Sequence, residues 1–144
     1  MKNVLRSMGM TAGTLALGLL ATAGAAQAAD AKDAAVVKPL MTQDLTGVPG
    51  KEALMLTVEY LPGGASMPHR HGADVFVYVL EGSLIMQVDG KPPVTLGPGQ
   101  TFYESPSDVH RQSANASKTA PAKFVVFIVK DKGKPVTLPA PEKP

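Results

Sequence analysis

Gly63-Gly64-Ala65-Ser66-Met67-Pro68-His69-Arg70-His71, running through Gly72-Ala73-Asp74 into the apolar segment Val75-Phe76-Val77-Tyr78-Val79-Leu80, is the stretch that decides the fold. In an extended chain residues two apart point to the same side, so His69 and His71 present two imidazoles to one face while Arg70 points away. Two imidazoles on one face are a metal-chelating pair. The chain has three histidines in all. The third, His110, follows a second glycine-bounded strand pattern about forty residues on, a separation that lets two hairpins fold back and bring it beside the first pair.

Working outward, the segments on both sides read as short strands punctuated by Gly and Pro. Lys38 to Thr46 is a first short strand, and Gly47-Val48-Pro49-Gly50 is a turn. From Lys51 to Leu61 the residues Leu54, Leu56, Val58 and Tyr60 share one face, with Thr57 and Glu59 on the other. Val75 to Leu80 is apolar on both faces, as expected of a strand with a core on one side and a second layer or a partner on the other. Leu84 to Val88 is a strand, Asp89-Gly90 is a two-residue hairpin signal, and Val94 to Leu96 returns. Thr101 to Glu104 is a short strand, Ser113 to Pro121 reads as a polar loop, and Phe124 to Val129 is the last long apolar strand. Residues 133–144 are rich in Pro and Lys and read as an extended tail with an edge strand around Val136 to Leu138. No segment outside the N-terminal run has helical period, so the chain is all-β, a sandwich or a barrel.

The N-terminal run sets the compartment. Lys2 and Arg6 precede an apolar Ala/Leu/Gly-rich segment from Thr11 to Ala23, and Ala26-Gln27-Ala28 has the small-x-small form of a signal-peptidase site. Residues 1–28 are therefore read as a cleaved signal peptide and the protein as periplasmic or secreted. A membrane anchor is the competing reading, but the run is shorter than the roughly 18 apolar residues of a span. Residues 29–38 lack a usable period and read as a flexible arm, 39–132 as the barrel domain and 133–144 as the tail.

Charge and cysteine content exclude several classes. Of 14 basic and 12 acidic residues, the leader takes Lys2 and Arg6 and no acid, which leaves the mature chain formally neutral. A basic surface with interleaved aromatics is absent, which argues against a nucleic-acid partner. The absence of cysteine excludes disulfides, thiolate ligands and cysteine nucleophiles.

The glycines and histidines together resemble the two motifs of the cupin superfamily. The first motif, in which Gly is followed after five residues by His-x-His and later by Glu and Gly, is matched by Gly63, His69, His71 and Gly82. The second is matched by Gly99 and His110. The resemblance spans Leu54 to Val129 and implies a conical jelly-roll β-barrel (a double-stranded β-helix) that binds one divalent metal per chain. It also implies a homodimer and a small-molecule ligand. At two places the chain departs from the motifs. Val75 stands where the first motif has its glutamate ligand, and in the second motif Ser105 and Ser107 replace Pro and Gly while Asn115 falls one residue late.

Three neutral imidazoles suit Fe, Mn, Ni, Zn or Cu, and three protein ligands leave positions open to water or substrate. Two acids compete for the missing carboxylate. Asp74 is either a solvated acid at a strand start or a fourth ligand delivered by a bulge. Glu104, preceded by Phe102-Tyr103, is a ligand, a general base beside the metal, or a rim or salt-bridge residue. Phe76, Tyr78, Phe102 and Tyr103 are most economically core or interface residues. The functional expectation is an exported metal-binding cupin, either a metal-dependent enzyme of dioxygenase or isomerase type acting on a small oxygenated substrate, or a non-catalytic module that binds a small ligand or the metal.

Overall fold

Alternation writes the walls of the fold. In β2 (Lys51–Tyr60) the residues Leu54, Leu56, Val58 and Tyr60 turn inward. The same period-2 pattern buries Val75, Val77 and Val79 in β5 (Asp74–Glu81) and Phe124, Val126 and Ile128 in β10 (Ala122–Asp131). Each such side chain, fully withdrawn from water, contributes about 1.5–3 kcal/mol, so the three strands commit their inner faces to one core.

The computed structural model describes residues 35–141. The expected signal peptide and most of the arm lie outside them. Where the arm is described it is not an arm, because β1 (Ala35–Asp44) begins at Ala35 and pairs along its whole length with β2. Among the described residues no helix is long and apolar enough to cross a membrane.

Among the described residues eleven strands form two antiparallel sheets that face each other as a jelly-roll barrel. Sheet one has the order β1-β2-β10-β5-β8, with β8 at Thr101–Glu104. Sheet two has the order β11-β4-β9-β6-β7. Its members are β11 (Leu138–Pro139), β4 (His69–Arg70), β9 (His110–Asn115), β6 (Leu84–Val88) and β7 (Val94–Leu96). A short β3 (Ala65–Ser66) also pairs with β9. Leu84, Met86 and Leu96 of sheet two close the core from the other side.

Gly82, the glycine that ends the first motif, explains itself sterically. It turns at φ 74°, and a Cβ there would sit 2.5 Å from the Pro121 carbonyl oxygen. The chain from β5 into β6 can make this corner only with glycine.

Two segments differ from expectation. Ser113, Ala114 and Asn115 belong to β9 rather than to a polar loop. Their pattern is concealed because the inward side chains are polar. Ser113 shares a 2.8 Å hydrogen bond with the Tyr60 hydroxyl. The Asn115 amide donates to the carbonyls of Leu61 (3.1 Å) and Ala120 (2.8 Å) and accepts from the Ser117 amide. The tail is also more than extended. Buried Lys130 pairs with Glu52 and donates to the Lys134 carbonyl at 2.6 Å. The tail then returns across the barrel, and β11 pairs with β4.

Candidate metal centre

His69 reaches the site from β4, which lies beside β9 with His69 opposite His110. His71 follows the end of β4, where Gly72 turns at φ 59°. The expected regular strand through both histidines is therefore cut short at Arg70. Their rings still meet edge to face, with centroids 4.8 Å apart.

His110 is placed by an irregularity. In β9 Ser113 and Asn115 point inward, and strict alternation would turn His110, three residues before Ser113, outward. Pairing with β6 shifts register, Gln87 facing Gln112 but Val88 facing His110, so Arg111 is an extra residue on β9. This bulge reverses the phase and sends His110 into the core, where it is 4% exposed. It also explains why Asn115 falls one position late in the motif and still faces inward. Arg111 itself pairs with Asp89 on the surface, and Arg70 is exposed.

The second nitrogens decide the chemistry. The Nδ1 of His69 lies 2.7 Å from the Met67 carbonyl oxygen, that of His71 2.7 Å from the Val136 carbonyl oxygen, and that of His110 2.9 Å from Glu104 Oε1. Each of those oxygens only accepts, so each Nδ1 carries the proton and each Nε2 keeps its lone pair. The His69 and His71 Nε2 atoms are 3.1 Å apart, and His110 Nε2 is buried with no hydrogen-bond partner. Lone pairs converging at that distance repel unless a cation sits among them. With metal–nitrogen bonds of about 2.0–2.1 Å, two imidazoles on one ion at angles between square and tetrahedral lie about 3 Å apart, as these two do. One ligand atom from each of the three histidines lies within 4.8 Å of the others. The residues fit a divalent transition metal.

Burial away from water holds the His69 imidazole below its usual value of 6.5. Met67's carbonyl opposes this, while the neighbouring His71 and His110 rings reinforce it. A ligand histidine kept neutral at physiological pH is ready for a metal.

The two candidate carboxylates part company. Asp74 is not a fourth ligand: it alternates to the outer face of β5, where its carboxylate accepts a 2.7 Å hydrogen bond from the Tyr103 hydroxyl and pushes that phenol's pKa up. No bulge redirects it, because β5 and β8 pair in regular register from Val75 to Tyr78. Glu104 points inward and is 2% exposed. Its cross-strand partner is Val75, the residue standing where the motif has glutamate, so the carboxylate has moved one strand over on the same face. There it braces Nδ1 of His110, the side of the ring away from the converging Nε2 atoms.

A cavity of about 340 Å³ opens beside the three histidines. Its walls come mainly from β2, β5 and β10, through Leu56, Val58, Val75, Val77, Phe124, Val126 and Ile128, with Met86 from β6. Ser66, Ser113, Tyr60, Thr137 and Glu104 supply the polar part, and Ala35, Val37, Met67 and Val136 complete the lining. Sequence reasoning had the three histidines and Glu104. It missed the Met67 and Val136 carbonyls, for which no side-chain signal exists, and Ser66.

A family model described as a cupin domain matches residues 56–128. Solved structures share the fold. The DMSP lyase DddQ from Ruegeria pomeroyi DSS-3 is 20% identical with a TM-score of 0.59, over 75% of this chain and 52% of the lyase. The Cupin_2 domain of an XRE family transcriptional regulator from Enterobacter cloacae is 31% identical with a TM-score of 0.51, over 66% of this chain and 95% of that domain. The polyketide cyclase RemF from Streptomyces resistomycificus is 20% identical with a TM-score of 0.54, over 73% and 75%. The match spans about half the length of the lyase. None of the curated proteins matches this chain.

Proposed function

The chain belongs to the cupin family, and on that premise we propose that it is an exported protein that binds one divalent transition metal through His69, His71 and His110 and uses it on a small oxygenated substrate. One observation carries the reading: three Nδ1–H groups are each taken by an acceptor outside the cluster, which leaves three Nε2 lone pairs facing one another. Outer partners of this kind fix ring orientation and raise ligand basicity in metal sites. A divalent ion held there acts as a Lewis acid toward an oxygen-bearing ligand. The chain's own residues do the rest. Glu104 orients His110 and stabilises positive charge on it, the apolar walls exclude water, and the open side of the histidine cluster faces the cavity. This suits a dioxygenase or isomerase type of reaction.

A non-catalytic binding module is the second reading, and one observation favours it. Glu104 is the only carboxylate on the cavity wall among the described residues, and its Oε1 is committed to a ligand histidine, so no second acid stands there to move a proton. Export rests on the leader pattern of residues 1–28. A homodimer is supported by the exposed aromatic outer face of sheet one, where Phe76, Tyr78 and Tyr103 stand beside Phe127.

Metal analysis of protein purified from its own compartment tests the core of the proposal. About one divalent ion per chain is expected, and His69→Ala is expected to remove it. Equal, low metal content in both proteins under metal-replete conditions would reject the site.

A further inference from the structure

Among the described residues the buried side-chain polar atoms without a hydrogen-bond partner are Ser66 Oγ, Glu104 Oε2 and His110 Nε2. All three residues line the one cavity beside the histidines. A buried polar atom left unpaired is destabilising, so three of them in one cavity describe what the occupant must bring. His110 Nε2 needs a cation. As a carboxylate, Glu104 accepts at Oε1 from the His110 Nδ1–H and its Oε2 needs a hydrogen-bond donor from the ligand. Ser66 takes either role.

The apolar part of the lining asks for something different. It is built from Val58, Val77, Phe124 and Val126, and no Lys or Arg lines the cavity. A second carboxylate or a phosphate on the ligand would be buried without a counter-charge. A sugar would bring more hydroxyls than the few polar groups of the lining can pair. At about 340 Å³ the cavity is near the lower end of small-molecule sites, about 300–1,000 Å³.

We infer that the ligand is a small 2-hydroxy acid or hydroxycarbonyl compound with a single polar end and an apolar body. Its carboxylate or carbonyl oxygen faces the metal, its hydroxyl donates to Glu104 Oε2, and its hydrocarbon part lies against Val58, Val77, Phe124 and Val126. This rests on the metal reading above.

The test is isothermal titration calorimetry of zinc-loaded protein with glycolate, 2-hydroxybutanoate and 2-hydroxyhexanoate, and with hexanoate, malate and glucose as controls. Affinity is expected to rise about fourfold with each buried methylene. Hexanoate, lacking the hydroxyl, is expected to bind about tenfold more weakly than 2-hydroxyhexanoate, and malate no better than glycolate. A flat chain-length series on protein that retains its zinc, equal binding of hexanoate, or a preference for malate or glucose overturns the inference and leaves the metal site standing. The same chain-length slope on protein that fails to hold zinc keeps the apolar hydroxylated ligand and overturns the metal reading instead. Val77→Phe, which fills the cavity, is expected to cost 2-hydroxyhexanoate at least tenfold and glycolate little. Should that variant not fold, the wild-type series decides alone.

Discussion

Strands β2, β5 and β10 of sheet one alternate inward and outward through residues 54–60, 74–79 and 122–130, whereas β3, β4 and β11 of sheet two have two residues each and β9 carries a bulge at Arg111. The regular strands supply the cavity's apolar wall. Every group that can hold a metal or orient a ligand histidine, apart from Glu104 on β8, comes from the irregular strands or the segments beside them. Long regular strands satisfy their backbone within the ladder and so have nothing left to offer. Short ones leave carbonyls such as those of Met67 and Val136 free to accept from imidazoles. The difference suggests that stability resides chiefly in sheet one and chemistry in sheet two.

Ile128→Ala asks whether sheet one carries the stability. Ile128 is 1% exposed at the centre of β10, and its truncation should destabilise the metal-free protein by about 2–5 kcal/mol while zinc stoichiometry stays the same. Chemical denaturation and metal analysis read the two effects. A variant that loses zinc while remaining fully stable would break the division.

His110→Ala is the converse. It should lower zinc affinity by more than about a hundredfold, beyond the 10–100-fold typical of outer partners, with the β-sheet circular dichroism of the metal-free protein retained. Competition with a chromophoric chelator measures it.

The divided structure also explains what was legible in advance. Leu54, Leu56, Val58 and Tyr60 announce β2 because period 2 is written in apolar residues, and Gly82 and Gly99 punctuate the chain where corners must fall. The three histidines were legible because spacing alone identifies them. The fate of the missing glutamate was not, because Val75 and Glu104 become neighbours only across two strands. The phase of His110 was equally hidden: a bulge leaves no mark in a sequence whose inward residues, Ser113 and Asn115, are themselves polar. The contribution of Val136 belongs to its backbone carbonyl, which any residue at that position would supply.

Two changes to the outer partners sharpen the comparison at a smaller scale. Deleting residues 136–144 removes the carbonyl that holds His71 Nδ1 and should weaken zinc about tenfold, with the barrel still folded through sheet one. Glu104→Gln keeps an acceptor at His110 but loses the charge, and should weaken zinc by a comparable or smaller factor. If neither alters affinity, the partners do not orient the ligands.

Acidification should give the smallest effect above pH 6.5. Metal binding requires neutral imidazole, and burial holds His69 below 6.5, so proton competition at this ligand begins only at lower pH. Acidification also weakens the metal-free fold. As pH falls through about 6.5 the unfolded His69 takes up its proton first, so the metal-free fold loses stability from there down to the depressed folded value and not beyond. Denaturation midpoints from pH 7.5 to 5 check this; a gain in stability on acidification through that window would refute it.

The most direct measurement is long-range proton–nitrogen correlation of the imidazoles in uniformly 15N-labelled protein with and without zinc, which is unambiguous because the chain has only three histidines. All three rings should show a protonated Nδ1 in both states, and all three Nε2 resonances should move together to metal-bound positions at one equivalent of zinc. Nitrogen shifts that zinc leaves unchanged, or a metal-bound Nδ1 on any of the three, would contradict the account.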